Sequence, residues 1–437
     1  MTAVGHRPAP RQRRRHRRLL RLRSLLVVPA LVVVLLAVSL AGAALTPGNQ
    51  SFEAKWADWL RAHHAGLVAQ RFEEIYYSAT APGKGGQPKG LNKVPATVAG
   101  AALTTLPPRP ATSGTVAAHP PGTVAPDPPG SATGNAPRTT SAASTTTTHP
   151  GLAAPSPVPL VVHPALPGEG QWQATGPLVR GVPAMYVAQF RADDVYTSQI
   201  TTAVWIDTRL LHLELVPGST EPGGTWAHPP YVTPAELPYL AAAFNGGFRF
   251  QDAKGGIYLE GKAGVALVPG AASFVIYKDG QVNIGAWGTD FSMGPGVESV
   301  LQNVVLLVDK AKLAPSATYT DNAIWGYTLG GGYVVPRSGI GVTADGALVY
   351  VAGPALTAKS LAESLQRAGA VRAMTLDINP EWVTFNFYSH APSSPEQVTG
   401  TKLYPQMQRP ADRYLPPEWE ARDFFEVLLP GAKTGGL

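Results

Sequence analysis

Leu211, Leu213 and Leu215 alternate with His212 and Glu214, the two-residue period of a strand with one buried face. Phe274-Val275-Ile276-Tyr277 and Gln281-Val282-Asn283-Ile284 flank Lys278-Asp279-Gly280 and predict a hairpin closed by an Asp-Gly turn. Gly341 to Val351 repeats the device around Asp345-Gly346. Leu361, Leu365 and Ala368 share one face of a helix that Thr357 can cap and Gly369 can stop. The apolar strand Ala373 to Leu376 follows directly. With no repeat at a fixed period, residues 166–437 are read as one α+β domain, a mixed β-sheet with few helices.

The pattern before residue 166 differs. Leu25 to Leu45 runs 21 residues without a charge, enough at about 1.5 Å per residue to cross roughly 30 Å of hydrocarbon. Nine arginines and no acid precede it in residues 1–23. This predicts a basic cytoplasmic tail (1–23), a single transmembrane helix (24–46) and an extracytoplasmic remainder. A cleaved signal peptide ending near Ala41-Gly42-Ala43 is the rival reading. Phe52, Trp56, Trp59, Leu60, Leu67, Val68, Phe72, Ile75 and Tyr76 predict a juxtamembrane amphipathic helix over 51–78, lying on the membrane, docking a partner or packing on the distal domain. Residues 79–165 read as a disordered Pro/Thr/Ala-rich linker, because Val94 to Ala165 holds only three charges, Arg109, Asp127 and Arg138, and little to bury.

Charge and cysteine content narrow the function. The net charge of +6 comes from the arginine block; without those nine residues, 26 basic side chains face 29 acidic ones, a net of −3. No nucleic-acid footprint is expected on the folded part. The absence of cysteine excludes disulfides, thiolate zinc sites and a cysteine nucleophile. There is no Gly-x-Ser-x-Gly elbow, phosphate-binding P-loop or His-Glu-x-x-His pair, and His163, His212, His228 and His390 are not spaced as a metal pair. Neither serine nucleophile, metal nor cofactor is expected.

What remains is a set of carboxylates, amides and arginines at strand ends. Met374 to Trp382 brings Asp377, Asn379, Glu381 and Trp382 to the end of an apolar strand, where desolvation can shift an acid's pKa and Pro380 turns the chain. Two carboxylates beside an indole suit glycoside hydrolysis; equally, Asp377 and Asn379 can form a turn that binds its own backbone, with Trp382 in the core. Asn245-Gly246-Gly247 follows another apolar run and offers an amide with close backbone approach, or a tight turn. Arg249 and Arg337 are candidates for bidentate recognition of phosphate or carboxylate.

Residues from about 240 to 390 resemble the phosphodiester glycosidase family. Asn245-Gly246-Gly247-Phe248 resembles its early Asn-Gly-Gly-Phe segment, and Arg337-Ser338-Gly339-Ile340-Gly341 with Asp345-Gly346 its Arg-containing strand and turn. Leu361 to Ala370 leads to Leu376-Asp377 as the family's helix leads to its Leu-Asp-Gly-Gly-Gly-Ser segment. The chain departs after the aspartate, with Ile378-Asn379-Pro380-Glu381 replacing three glycines and a serine. The resemblance implies a hydrolase acting on a sugar-1-phosphate diester of a cell-envelope glycan or glycolipid. Asp377 would be base, nucleophile or oxocarbenium stabiliser, Glu381 its partner, and Arg337 with Arg249 the phosphate clamp. Asn245, Gly246, Gly247, Asn379 and Trp382 would hold the sugar. The alternative is a non-catalytic glycan-binding or scaffold module using the same cleft.

Overall fold

The computed structural model describes residues 29–46, 52–69, 71–72, 75, 82–98, 151–319, 322–326, 333–415 and 421–432. The arginine block and residues 99–150 of the expected linker lie outside them.

The α+β expectation is corrected: the described part is mostly β-sheet. A nine-stranded sheet and two five-stranded sheets carry it, and every pairing is antiparallel except Thr97–Val98 beside Gln173–Val179. One strand face of each sheet supplies a shared apolar core, with Met185, Val204 and Ile340 from the large sheet, Phe274 and Ile284 from the second, and Phe244, Phe385 and Phe425 from the third. The two Asp-Gly hairpins form as predicted, with Ala272–Tyr277 against Val282–Ala286 and Val335–Thr343 against Leu348–Leu356; Gly280 and Gly346 take the positive φ that these turns require.

The helix Ala358–Arg367 covers the other face of the large sheet through Leu361 and Leu365. Its start is a reciprocal cap: Thr357 Oγ1 accepts from the Ser360 N–H, and Ser360 Oγ accepts from the Thr357 N–H, both at 2.9 Å. Gly369 stops it at φ 102°. The strand Ala370–Ile378 then crosses the sheet beside Val335–Thr343, which carries Asp377 to the sheet's end.

The transmembrane expectation is also corrected. Among the described residues no helix is long and apolar enough to cross a membrane. Residues 29–45 are helical, but one face is taken up by the following helix, Phe52–Ala62. Trp56 Nε1 donates to Ser39 Oγ at 3.0 Å, and Trp59 packs so closely on Gly42 that a Cβ there would lie 2.2 Å from its Nε1. The expected long amphipathic helix breaks after Ala62, where His64 takes a left-handed φ of 60°.

Both ends of the expected linker pack on the large sheet. Asn92 exchanges two hydrogen bonds with the Gln189 side chain (2.7 and 2.8 Å), and Thr175 Oγ1 donates to the Pro95 carbonyl. Further on, the Leu152 N–H donates to Asp207 Oδ2 at 2.6 Å, and Arg191, in a buried ion pair with Glu169, donates to the Pro164 carbonyl. Backbone groups that find partners in this way hold residues 82–98 and 151–165 on the fold, although their composition alone argues for disorder.

Candidate active site

Asp377 sits where Ala370–Ile378 runs into a small, half-open cleft. Its backbone is fixed from two sides. Ser338 Oγ accepts from the Asp377 N–H and donates to the Asp377 carbonyl, both at 3.1 Å. Asn303 Nδ2 donates to the Leu376 carbonyl at 2.6 Å. The carboxylate accepts the Ile378 N–H at 2.7 Å through Oδ1, while Oδ2 forms a short ion pair with Arg422. Burial pushes this carboxyl up to about 6; Arg422 opposes the rise most, followed by the Ile378 N–H, Arg249 and Arg413. The cleft around it also presents Phe248, Arg249, Asp252, Asn379, Trp382 and Arg422.

Arg422, which the sequence reading missed, completes this wall, and Asp423 stands behind it. The Arg422 guanidinium lies 3.8 Å over the Trp382 ring, and its Nε is buried without a hydrogen-bond partner. Asp423 accepts the Gly246 N–H on its carbonyl at 2.9 Å and the Gly247 N–H on Oδ2 at 3.1 Å. Its Oδ1 is buried and unpartnered. Burial pushes the Asp423 carboxyl up to about 7, with Arg422 opposing. Both residues immediately precede the apolar strand Phe424–Leu428. The signal that singled out Asp377, an acid at the end of an apolar run, was therefore present here too.

The predicted residues divide into three groups. Asp377, Asn379, Trp382 and Arg249 line the cleft, with Asn379 at a left-handed φ of 75° where the resembled family has glycine. Arg249 is half exposed and only loosely paired to Asp252, at 3.7 Å. Trp382 offers the cleft less aromatic face than expected, because Arg422 covers one side of the ring.

Asn245, Gly246 and Gly247 stand behind the cleft wall. Asn245 Oδ1 accepts from the Tyr350 hydroxyl (2.9 Å) and the Thr384 N–H (3.1 Å), and Nδ2 donates to the Gly246 carbonyl (2.8 Å) and Ser338 Oγ (3.0 Å). These bonds use the amide to join three strands, leaving it no capacity for a sugar. The close approach that demands glycine is made by Asp423, since a Cβ on Gly246 would lie 1.8 Å from Asp423 Oδ2.

Arg337 and Glu381 are placed outside the cleft. Arg337 is buried and donates to the carbonyls of Leu356 (3.0 Å), Tyr333 (3.2 Å) and Trp325 (3.3 Å), so it braces the backbone next to Gly326 rather than receiving an anion. Burial lowers it to about 10, which leaves it charged at neutral pH. Glu381 is buried in an ion pair with Arg409 at 2.8 Å, and its carbonyl accepts from Arg413 at 3.0 Å. Of the charged groups around Asp377, Arg422 pairs with it, while Arg249 and Asp252 also line the cleft.

Residues 239–377 match the family described as phosphodiester glycosidase. No curated protein matches the chain. Among solved structures, the catalytic domain of zebrafish N-acetylglucosamine-1-phosphodiester alpha-N-acetylglucosaminidase, auto-inhibited by its pro-peptide, is 18% identical; the match covers 56% of this chain and 83% of that one, with a TM-score of 0.37. A hypothetical protein from Synechocystis is 12% identical over 59% of this chain and 64% of its own (TM-score 0.33). A protein from Burkholderia pseudomallei is 12% identical over 53% of this chain and 74% of its own (TM-score 0.27).

Proposed function

We propose, from the phosphodiester glycosidase domain at residues 239–377, that this protein hydrolyses sugar-1-phosphate diesters at the wall formed by Asp377 and Arg422. The observation that carries the reading is their ion pair in the cleft, a desolvated carboxylate held against a buried guanidinium. In hydrolysis the sugar C1–O bond breaks, the bonding electrons leave with the phosphate monoester, and water supplies the new anomeric hydroxyl. A phosphate monoester is a good leaving group, so the main demands are charge stabilisation at phosphate and at the developing oxocarbenium ion. Arg422, with Arg249 at the rim, suits the phosphate oxygens. The ionised Asp377 suits the anomeric carbon, as nucleophile or as base toward water. The arginine block followed by an uncharged run supports export, which makes a glycan or glycolipid of the cell envelope the substrate class within reach.

The purified full chain is expected to release free sugar from a sugar-1-phosphate diester and not from the corresponding aryl glycoside, read by reducing-sugar assay. Saturable binding of diester without turnover would overturn the hydrolase reading in favour of a glycan-binding module. Glu381→Gln is expected to keep turnover within a few-fold of the parent, because the carboxylate faces Arg409 and not the cleft. A loss of about a hundredfold or more with the melting temperature unchanged would return Glu381 to the reacting centre.

A further inference from the structure

On the far side of the five-stranded sheet that carries Asn245 lies a second cluster of ionisable groups. In the ladder Glu426 stands directly opposite Glu214, and both point to the face shared by Val216, Phe424 and Leu428. The segment joining His212–Val216 to Leu240–Asn245 folds over this face and brings His228 and Glu236 to it. One ligand atom each from Glu214, His228 and Glu236 lies within 4.8 Å of the others. Glu426 is fully buried, and neither of its carboxylate oxygens has a hydrogen-bond partner. Its charge is felt by His228, and those of Glu236, His228 and Glu214 are felt by Glu426.

We propose that Glu214, His228, Glu236 and Glu426 form a binding site for one divalent transition-metal ion, Zn²⁺ or Mn²⁺, separate from the catalytic cleft. A buried carboxylate with no partner on either oxygen is costly unless something neutralises it. The histidine is already oriented as a ligand: its Nδ1 faces the Pro229 carbonyl at 2.6 Å, which suits an Nδ1–H donor. Nε2 donates to Glu236 Oε1 at 2.8 Å in an ion pair, and a bound ion would take the place of that bridging proton. Backbone carbonyls commonly fix metal-binding imidazoles in this manner. At metal–ligand distances of about 2.1 Å no two ligand atoms can lie more than about 4.2 Å apart, so Glu214, His228 and Glu236, now within 4.8 Å of one another, would have to draw in by a few tenths of an ångström around a single ion. Glu236 is held in place by the Thr233 N–H, which donates to its Oε2 at 2.7 Å. One imidazole among carboxylates favours Zn²⁺ or Mn²⁺ over Ca²⁺, which prefers all-oxygen sites. The ion would clasp the segment through His228 and Glu236 to the strands that lead to Asn245 and Asp423.

The full-length protein, stripped with EDTA and dialysed against ZnCl₂, MnCl₂ or CaCl₂, tests this by bound-metal analysis and thermal melting. One equivalent of Zn²⁺ or Mn²⁺ is expected to be retained, with a rise in melting temperature. Glu426→Gln and His228→Gln are each expected to weaken binding at least tenfold. No retained ion and no shift in the parent protein would overturn the proposal, as would retention of Ca²⁺ alone. If either variant folds and binds the ion as tightly as the parent, the assignment fails. If both variants fail to fold, the result rests on the parent protein alone, where retention with a raised melting temperature supports the site and its absence refutes it.

Discussion

Asp377→Asn is expected to lower turnover of a sugar-1-phosphate diester by roughly 10³-fold, with KM little changed, because it removes the charged oxygen and keeps the side chain's shape. The protein is expected to remain folded. Asp377 titrates at about 6 in the folded chain against an ordinary value of 3.8. A raised folded pKa gives a stability contribution that is full below the ordinary value and lost as pH rises through about 6. At pH 7 the ionised carboxylate is therefore less well accommodated than its neutral form, and asparagine is close in shape to that neutral form. The variant should melt at or above the parent temperature at pH 7, so lost activity would report chemistry rather than unfolding. Full turnover in Asp377→Asn, measured with its melting curve, would remove Asp377 from the mechanism.

Arg422→Met is expected to cost about a hundredfold in kcat/KM at pH 7 and also to change the pH profile. The parent's acidic limb should have its midpoint near 6, since the reading needs Asp377 ionised. Arg422 is the largest influence holding that carboxyl down, so its removal moves the limb to higher pH. The variant should consequently lose more activity at pH 6 than at pH 8. Arg422→Lys should recover part of the loss, because it keeps the charge but lacks the fork that can span Asp377 and a phosphate oxygen. A kcat/KM profile between pH 5 and 9 decides the matter. An unmoved acidic limb would mean that Arg422 does not set the charge on Asp377.

What could be read from the sequence was local. The Asp-Gly hairpins and the Thr357-capped helix formed as expected because their signals lie within a few residues of one another. Asp377 was recognisable for the same reason, an acid that ends an apolar strand. The partners that give it a role were not: Arg422 is 45 residues away in the chain, and the Gly247–Asp423 bond spans 176. Gly246 and Gly247 are expected to let a ligand approach closely, but sequence could not show that the group packed on them is Asp423. The placement of Arg337 and Glu381 is not legible either, because an isolated charge near a strand end does not reveal which sheet face it takes. Arg337 turns to three backbone carbonyls and Glu381 to Arg409. The uncharged run at 25–45 matched membrane-span statistics, yet Ser39 and Gly42 on it are specific contacts for Trp56 and Trp59.

The strand Phe424–Leu428 lies between Leu240–Asn245 and His212–Val216, so the last element of the fold is also an internal strand of its sheet. This has a consequence for the timing of folding. Asparagine, glycines and Asp377 are all synthesised before the segment that brings Arg422 and Asp423 to them, and contacts this distant in sequence close slowly. The Asp377–Arg422 pair therefore assembles only after the C-terminal strand inserts, and a chain interrupted before residue 422 lacks that pair altogether.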